Sequence, residues 1–192
     1  GDVSDSATYA ALANIIDPEN LIDNTIVRMW SNDHDWAGPV FQNDLDVTVF
    51  RNKNWYTGGN LRGDEAKLFQ FFTWDAEISM GSHLLVNVFG FNVPQQVTNF
   101  DLTSVDDPGT PAGLHSALRL LPDYKRLFGD RVQRYFFNDG ALSTDKAQAR
   151  IQAMIDTLDS TIDLEAARWG DLHFGPNFTR ENHWLPGSSL VA

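Results

Sequence analysis

The sequence predicts an α+β fold that is mainly helical, and three observations carry the prediction. Helix starts marked by proline recur at Asp17-Pro18-Glu19, at Pro111 and at Pro122, each followed by apolar residues at helical spacing. Between Asp46 and Trp74 the pattern changes to short, β-branched and aromatic segments separated by glycine and polar residues. The 192 residues, 42% of them apolar, suit one domain with one sizeable core.

Taken in order, Asp5 to about Asn14 is Ala-rich and reads as a first helix. Asp17 caps a second, whose Leu21, Ile22, Ile26, Met29 and Trp30 make it half buried or better. It ends in the polar loop Ser31-Asn32-Asp33-His34-Asp35-Trp36, which runs into Ala37-Gly38-Pro39. Asp46–Phe50 and Asn54–Thr57 are candidate strands, and Gly58-Gly59-Asn60 is expected to turn the chain. Lys67–Trp74 is the strongest strand, and its apolar residues on both faces predict burial on both sides. Residues 81–113 show no firm periodicity, and a loop of that length is usually functional or partly disordered. A helix from Pro111 to Leu121 follows, then one from Pro122 to Phe137 ended by Asn138-Asp139-Gly140. Ser143 caps a long third helix reaching Trp169-Gly170, and 171–192 is an irregular tail.

Charge narrows the function. Fourteen basic residues stand against 26 acidic ones, a net charge of −12, with pI ≈ 4.6. Binding to a phosphate backbone needs a basic surface, so nucleic acid is excluded as partner, and an anionic membrane surface is disfavoured in the same way. No run reaches the length of a membrane span. The absence of cysteine removes disulfides, zinc–thiolate sites and thiol nucleophiles.

Two groups of oxygen-bearing side chains remain. Asn32, Asp33, His34 and Asp35 lie on the loop after the second helix, and Asp75 and Glu77 directly follow the strongest strand. Carboxylates so grouped suit a hard cation such as Mg²⁺, which takes oxygen ligands and tolerates water and substrate phosphates among them. The plainer reading has Asp33 and Asp75 capping turns. The five histidines lack zinc-protease spacing, and no P-loop, dinucleotide or nucleophile-elbow motif is present. Six tryptophans could stack on a sugar or base, although core packing is the commoner use.

Four segments in order resemble the C-terminal half of CotH-type proteins, the spore-coat protein H family and its homologues in large bacterial surface proteins. They are Asn54-Trp55-Tyr56, then Phe69-Gln70-Phe71-Phe72-Thr73-Trp74-Asp75-Ala76-Glu77, then Asp130 to Asn138, and Glu165 to Asp171. The resemblance covers about Asp17 to Trp184. It implies a protein-kinase-like C-lobe with a small β-hairpin region, and an atypical kinase that transfers a phosphoryl group from ATP, with Mg²⁺, to a hydroxyl. In kinases an Asp accepts the hydroxyl proton, and an Asn and a second Asp hold the metal. Carried onto this chain, Asp35 is the catalytic base, Asn54 and Asp75 are metal ligands, and Glu77 is an additional acid at the metal.

The chain departs from that pattern in two ways. Asn54 lies 19 positions after Asp35, where kinases have five, so 37–50 reads as an insertion with its own strand pattern. Residues 1–192 also lack a small lobe to clamp ATP. They are expected to form a single domain, a C-lobe-like fragment of a longer protein at the cell surface or outside the cell. The N-terminal lobe would be its partner, and the fragment alone would be inactive. An apolar patch near the hairpin, around Trp36 and Trp55, is expected where that lobe would sit. Two alternatives are a non-catalytic surface or spore-coat-type domain, and a carbohydrate-active or carbohydrate-binding domain using Asp75 with Glu77 or Asp35.

Overall fold

The computed structural model describes residues 5–33, 36, 39–42, 48–51, 55–60, 62, 67–74, 76, 79, 102–169 and 179–184. The chain groups into two compact units, Gly1–Arg131 and Val132–Ala192. The fold is α+β and mainly helical, as expected. Among the described residues no helix is long and apolar enough to cross a membrane.

In the first unit, α1 (Ser6–Leu12) starts where the Asp5 carboxylate accepts the Ala7 and Thr8 N–H groups, each at 2.8 Å. Asp17 does the same for α2 (Pro18–Trp30), accepting the Asn20 N–H at 3.0 Å. Leu21, Ile22, Thr25, Ile26 and Arg28 are buried on α2. The two aliphatic side chains with no exposure, Leu21 and Ile22, each contribute about 1.5–3 kcal/mol. α3 (Pro111–Leu118) is capped by Thr110, and α4 (Pro122–Phe136) brings Tyr124 into the same core as Leu118 and Leu121.

Among the described residues the β region is two antiparallel strand pairs. β1 (Pro39–Gln42) pairs with β2 (Thr48–Arg51), so the stretch read as an insertion contributes to a strand pair of its own. The sequence signalled only its second strand. β3 (Trp55–Asn60) pairs with β4 (Lys67–Thr73). Gly58 and Gly59, expected to turn the chain, instead lie within β3, with Gly58 opposite Gln70. At Gly59 the strands approach so closely that a Cβ would stand 2.7 Å from the Phe69 Cα, so only glycine fits.

β4 is also less buried than its apolar run suggests. Phe71 is buried and Phe69 half-buried, but Leu68, Phe72 and Trp74 are exposed. The strand has one covered face because α2 packs on one side only. The other face carries the exposed apolar side chains Tyr56, Phe72 and Trp74. Of the two residues around which an apolar patch is expected, Trp36 is fully buried and Trp55 half-buried.

In the second unit α4 ends at Asn138 and Asp139, both left-handed at φ 51° and 62°, a conformation these short polar residues tolerate. Gly140 then packs so tightly that a Cβ would meet the Tyr135 carbonyl oxygen at 2.3 Å. α5 (Thr144–Asp159) begins after Ser143, although the serine side chain makes no capping bond. The single long helix expected here is two, because α6 (Ile162–Trp169) starts afresh. Thr161 explains the break: its hydroxyl and its N–H both bond the Leu158 carbonyl, at 2.7 and 2.8 Å, closing a turn in place of the helix ladder.

Within the stretch read as an irregular tail, Arg180–Trp184 forms a π-type turn (α7). The Asp159 carboxylate receives Arg180 at 2.6 Å and the Trp184 indole N–H at 2.9 Å. The Arg180 bond, followed by the indole bond, holds that carboxyl below its usual range.

Candidate functional site

All four residues assigned to the site, Asp35, Asn54, Asp75 and Glu77, lie outside the described residues, as does His34. What the structure gives is the framework from which two of those segments leave. α2 and β4 run parallel, fastened rung by rung. The Phe69 N–H donates to the Ile15 carbonyl at 2.8 Å and the Asp17 N–H to the Phe69 carbonyl at 2.9 Å. The Asn20 side-chain oxygen accepts the Phe71 N–H at 2.5 Å, and the Asn24 amide donates to the Thr73 hydroxyl at 3.2 Å.

The spacing of these bonds follows from the two geometries. Four helical residues advance about 6 Å, and two strand residues about 6.8 Å. Asn20 and Asn24 therefore match Phe71 and Thr73 with little mismatch. Both elements end on the same side, so the chain departs toward Asp35 and toward Asp75 from one end of the α2–β4 pair.

The loop after α2 is fixed before it reaches Asp35. Asn32 is left-handed at φ 53°, and the Asp33 N–H returns to the Arg28 carbonyl at 3.0 Å. The Asp33 carboxylate makes a salt bridge to the Arg28 guanidinium, with both side chains essentially inaccessible. Asp33, grouped with the metal-type oxygens in the sequence, is thus committed to a buried ion pair. On the other side of Asp35, the fully buried Trp36 packs with Ala112 and Val105, its ring 6.0 Å from the Arg28 guanidinium carbon. Among the described residues no group of three or more His, Asp or Glu side chains could hold a metal ion.

Two arginines have roles the sequence did not announce. Arg131, in the Asp130–Asn138 motif, donates to Asp23 at 2.7 Å through Nε and to Glu19 at 2.6 Å, tying α4 to α2. Arg28 falls on the same face of α2 as Leu21 and Thr25, at spacings of seven and three residues. That periodicity was the available signal for a buried arginine.

A second feature is a cleft of about 420 Å³ lined by Met29, Thr103, His115, Arg119, Leu120, Tyr124, Lys125 and Phe128. At its base the buried His115 Nδ1 lies 3.0 Å from the Tyr124 hydroxyl. Burial first, and the nearby Arg119 second, lower His115 to about 4, while burial raises Tyr124 above the usual phenol range. His115 is therefore neutral at pH 7.

This neutrality has a measurable cost in acid. The folded value lies below the ordinary 6.5, so the unfolded chain takes up the proton first and stability falls as pH drops from 6.5 toward 4. Between pH 7.5 and 5 the histidine should remove about 2 kcal/mol of unfolding free energy. Urea titrations at the two pH values should show His115→Gln losing that much less than the parent. Equal losses would mean that His115 is not held neutral.

No family model, characterised protein or solved structure matches this chain.

Proposed function

We propose that this chain is the site-bearing C-lobe of a CotH-type atypical kinase that transfers the γ-phosphoryl group of ATP to a hydroxyl. The observation that supports this reading is the parallel fastening of α2 to β4, because the two elements that precede Asp35 and Asp75 in sequence end on the same side. Two carboxylates and an amide, from Asp35, Asp75 and Asn54, are the hard oxygen donors that Mg²⁺ prefers, so the residue types fit the ion. Asn54 and Asp75 would hold it, with Glu77 as a further acid. When bound it would neutralise charge developing on the phosphates.

Asp35 would accept the proton of the attacking hydroxyl. Its neighbours in sequence, Asp33 and Trp36, are both buried. Phosphoryl transfer also requires a small lobe to clamp ATP, and that lobe is the partner this reading calls for. The exposed Tyr56, Phe72 and Trp74 face suits contact with it, and a cell-surface or extracellular location accompanies the proposal.

The test is label transfer from γ-labelled ATP with Mg²⁺ by the full-length polypeptide. Asp75→Ala and Asp35→Asn should each lower transfer at least about a hundredfold while leaving the protein folded. Full activity in Asp75→Ala overturns the assignment.

A second reading, carbohydrate binding, rests on that same aromatic face. Tyr56, Phe72 and Trp74 are 56%, 49% and 56% exposed, and Tyr56 meets Trp74 edge-on with centroids 5.3 Å apart. Sugar-induced quenching of Trp74 fluorescence would favour it, and none would leave the face to a protein partner.

A further inference from the structure

The cleft beside α3 and α4 belongs to no part of the phosphoryl-transfer reading, and its lining runs against the chain's overall charge. The chain carries a net charge of −12, yet the described residues lining the cleft include two cations, Arg119 and Lys125, and no carboxylate. Its walls are apolar, from Met29, Leu120 and Phe128, and its volume of about 420 Å³ falls within the range of small-molecule sites. We propose that this cleft binds a small apolar monocarboxylate, with the hydrocarbon body against Met29, Leu120 and Phe128 and the carboxylate at Arg119 and Lys125.

The polar groups are suited to that division. The Arg119 guanidinium is steadied by one bond, from an Nη to the Thr103 carbonyl oxygen at 2.6 Å. A fork fixed at one prong loses less freedom when the others meet a carboxylate. Lys125 is exposed at the rim and can follow the ligand. The buried pair of His115 and Tyr124 presents hydrogen-bonding groups rather than a charge, so only the two cations supply attraction.

A polyanion such as a nucleotide is disfavoured, since two cations do not offset several phosphate charges within so acidic a protein. A neutral alcohol of the same length would bury the same hydrocarbon and forgo the charge-assisted bonds. The inference does not depend on kinase activity.

The experiment uses the full chain with octanoate and 1-octanol as matched probes, measured by calorimetry and by the His115 ring resonances. Octanoate should bind about tenfold or more tightly than 1-octanol and shift the His115 signals. Arg119→Gln and Lys125→Gln should each weaken octanoate severalfold and leave 1-octanol unchanged. Lys125→Glu, at an exposed position that folding tolerates, should weaken octanoate further and carries the test alone if the Arg119 variant unfolds. The proposal is overturned if octanoate fails to bind. It is also overturned if the two probes bind equally, if His115 does not respond, or if octanoate affinity survives Lys125→Glu.

Discussion

Asp33→Ala should destabilise the protein by about 3–5 kcal/mol, the range for removing one partner of a buried ion pair. The reason is the burial: Arg28 lies within the core with no exposure, and its guanidinium loses a buried carboxylate partner. Arg28→Ala should cost a comparable amount, because it takes a buried cationic partner from Asp33 and empties the volume of a long side chain. The pair itself is a weaker source of stability than either loss suggests, since both charges were taken out of water to form it. Arg28→Met combined with Asp33→Leu should therefore recover most of the stability lost by either alanine variant. Urea unfolding of the two single variants and the double variant tests this. A loss of under about 1 kcal/mol in Asp33→Ala would mean the carboxylate is not the counter-charge of Arg28. The double variant separates folding from function as well. If the salt bridge holds the loop ahead of Asp35, phosphoryl transfer should remain depressed after stability has returned.

How far the sequence revealed this architecture depended on how local each signal was. Asp5, Asp17 and Thr110 cap helices through bonds to residues two or three positions on, and those helices were legible from their starts. The end of α4 at Asn138-Asp139 was legible for the same reason. Features that need a distant partner were not. Gly58-Gly59 reads as a turn until Phe69 is known to press against it, and β4 reads as doubly buried until α2 is seen to cover one face. The break between α5 and α6 is local, but Ser160 and Thr161 are weak breakers that an apolar periodicity readily overrides in the reading. For the site, the surroundings of the candidate residues were not legible. Asp33 reads as one more metal-type oxygen beside Asp35. Only packing shows that it belongs to Arg28, and that Asn20 and Asn24 are the fasteners of the strand leading to Asp75.

Trp36→Ala should cost a further large amount, about 3–5 kcal/mol, the range for truncating a buried aromatic side chain. The indole is the largest fully buried side chain among the described residues and lies against Ala112, Val105 and the Arg28 guanidinium. Alanine cannot fill that space, and Ala112 is too small to move into it. Trp36→Phe separates the contributions. The indole N–H is buried with no hydrogen-bond partner, so exchanging it for a ring edge removes an unsatisfied donor while keeping most of the contact. Phenylalanine should therefore cost well under half of what alanine costs, by urea unfolding at pH 7.5. Near-equal losses would show that the N–H, not the ring, secures the loop. Under the proposed kinase reading the same pair bears on catalysis, because Trp36 adjoins Asp35. If the buried ring orients the proposed base, Trp36→Phe should retain most of the phosphoryl transfer of the full-length polypeptide. Trp36→Ala should lose far more transfer than its unfolded fraction accounts for, since a displaced base misses the proton it must accept.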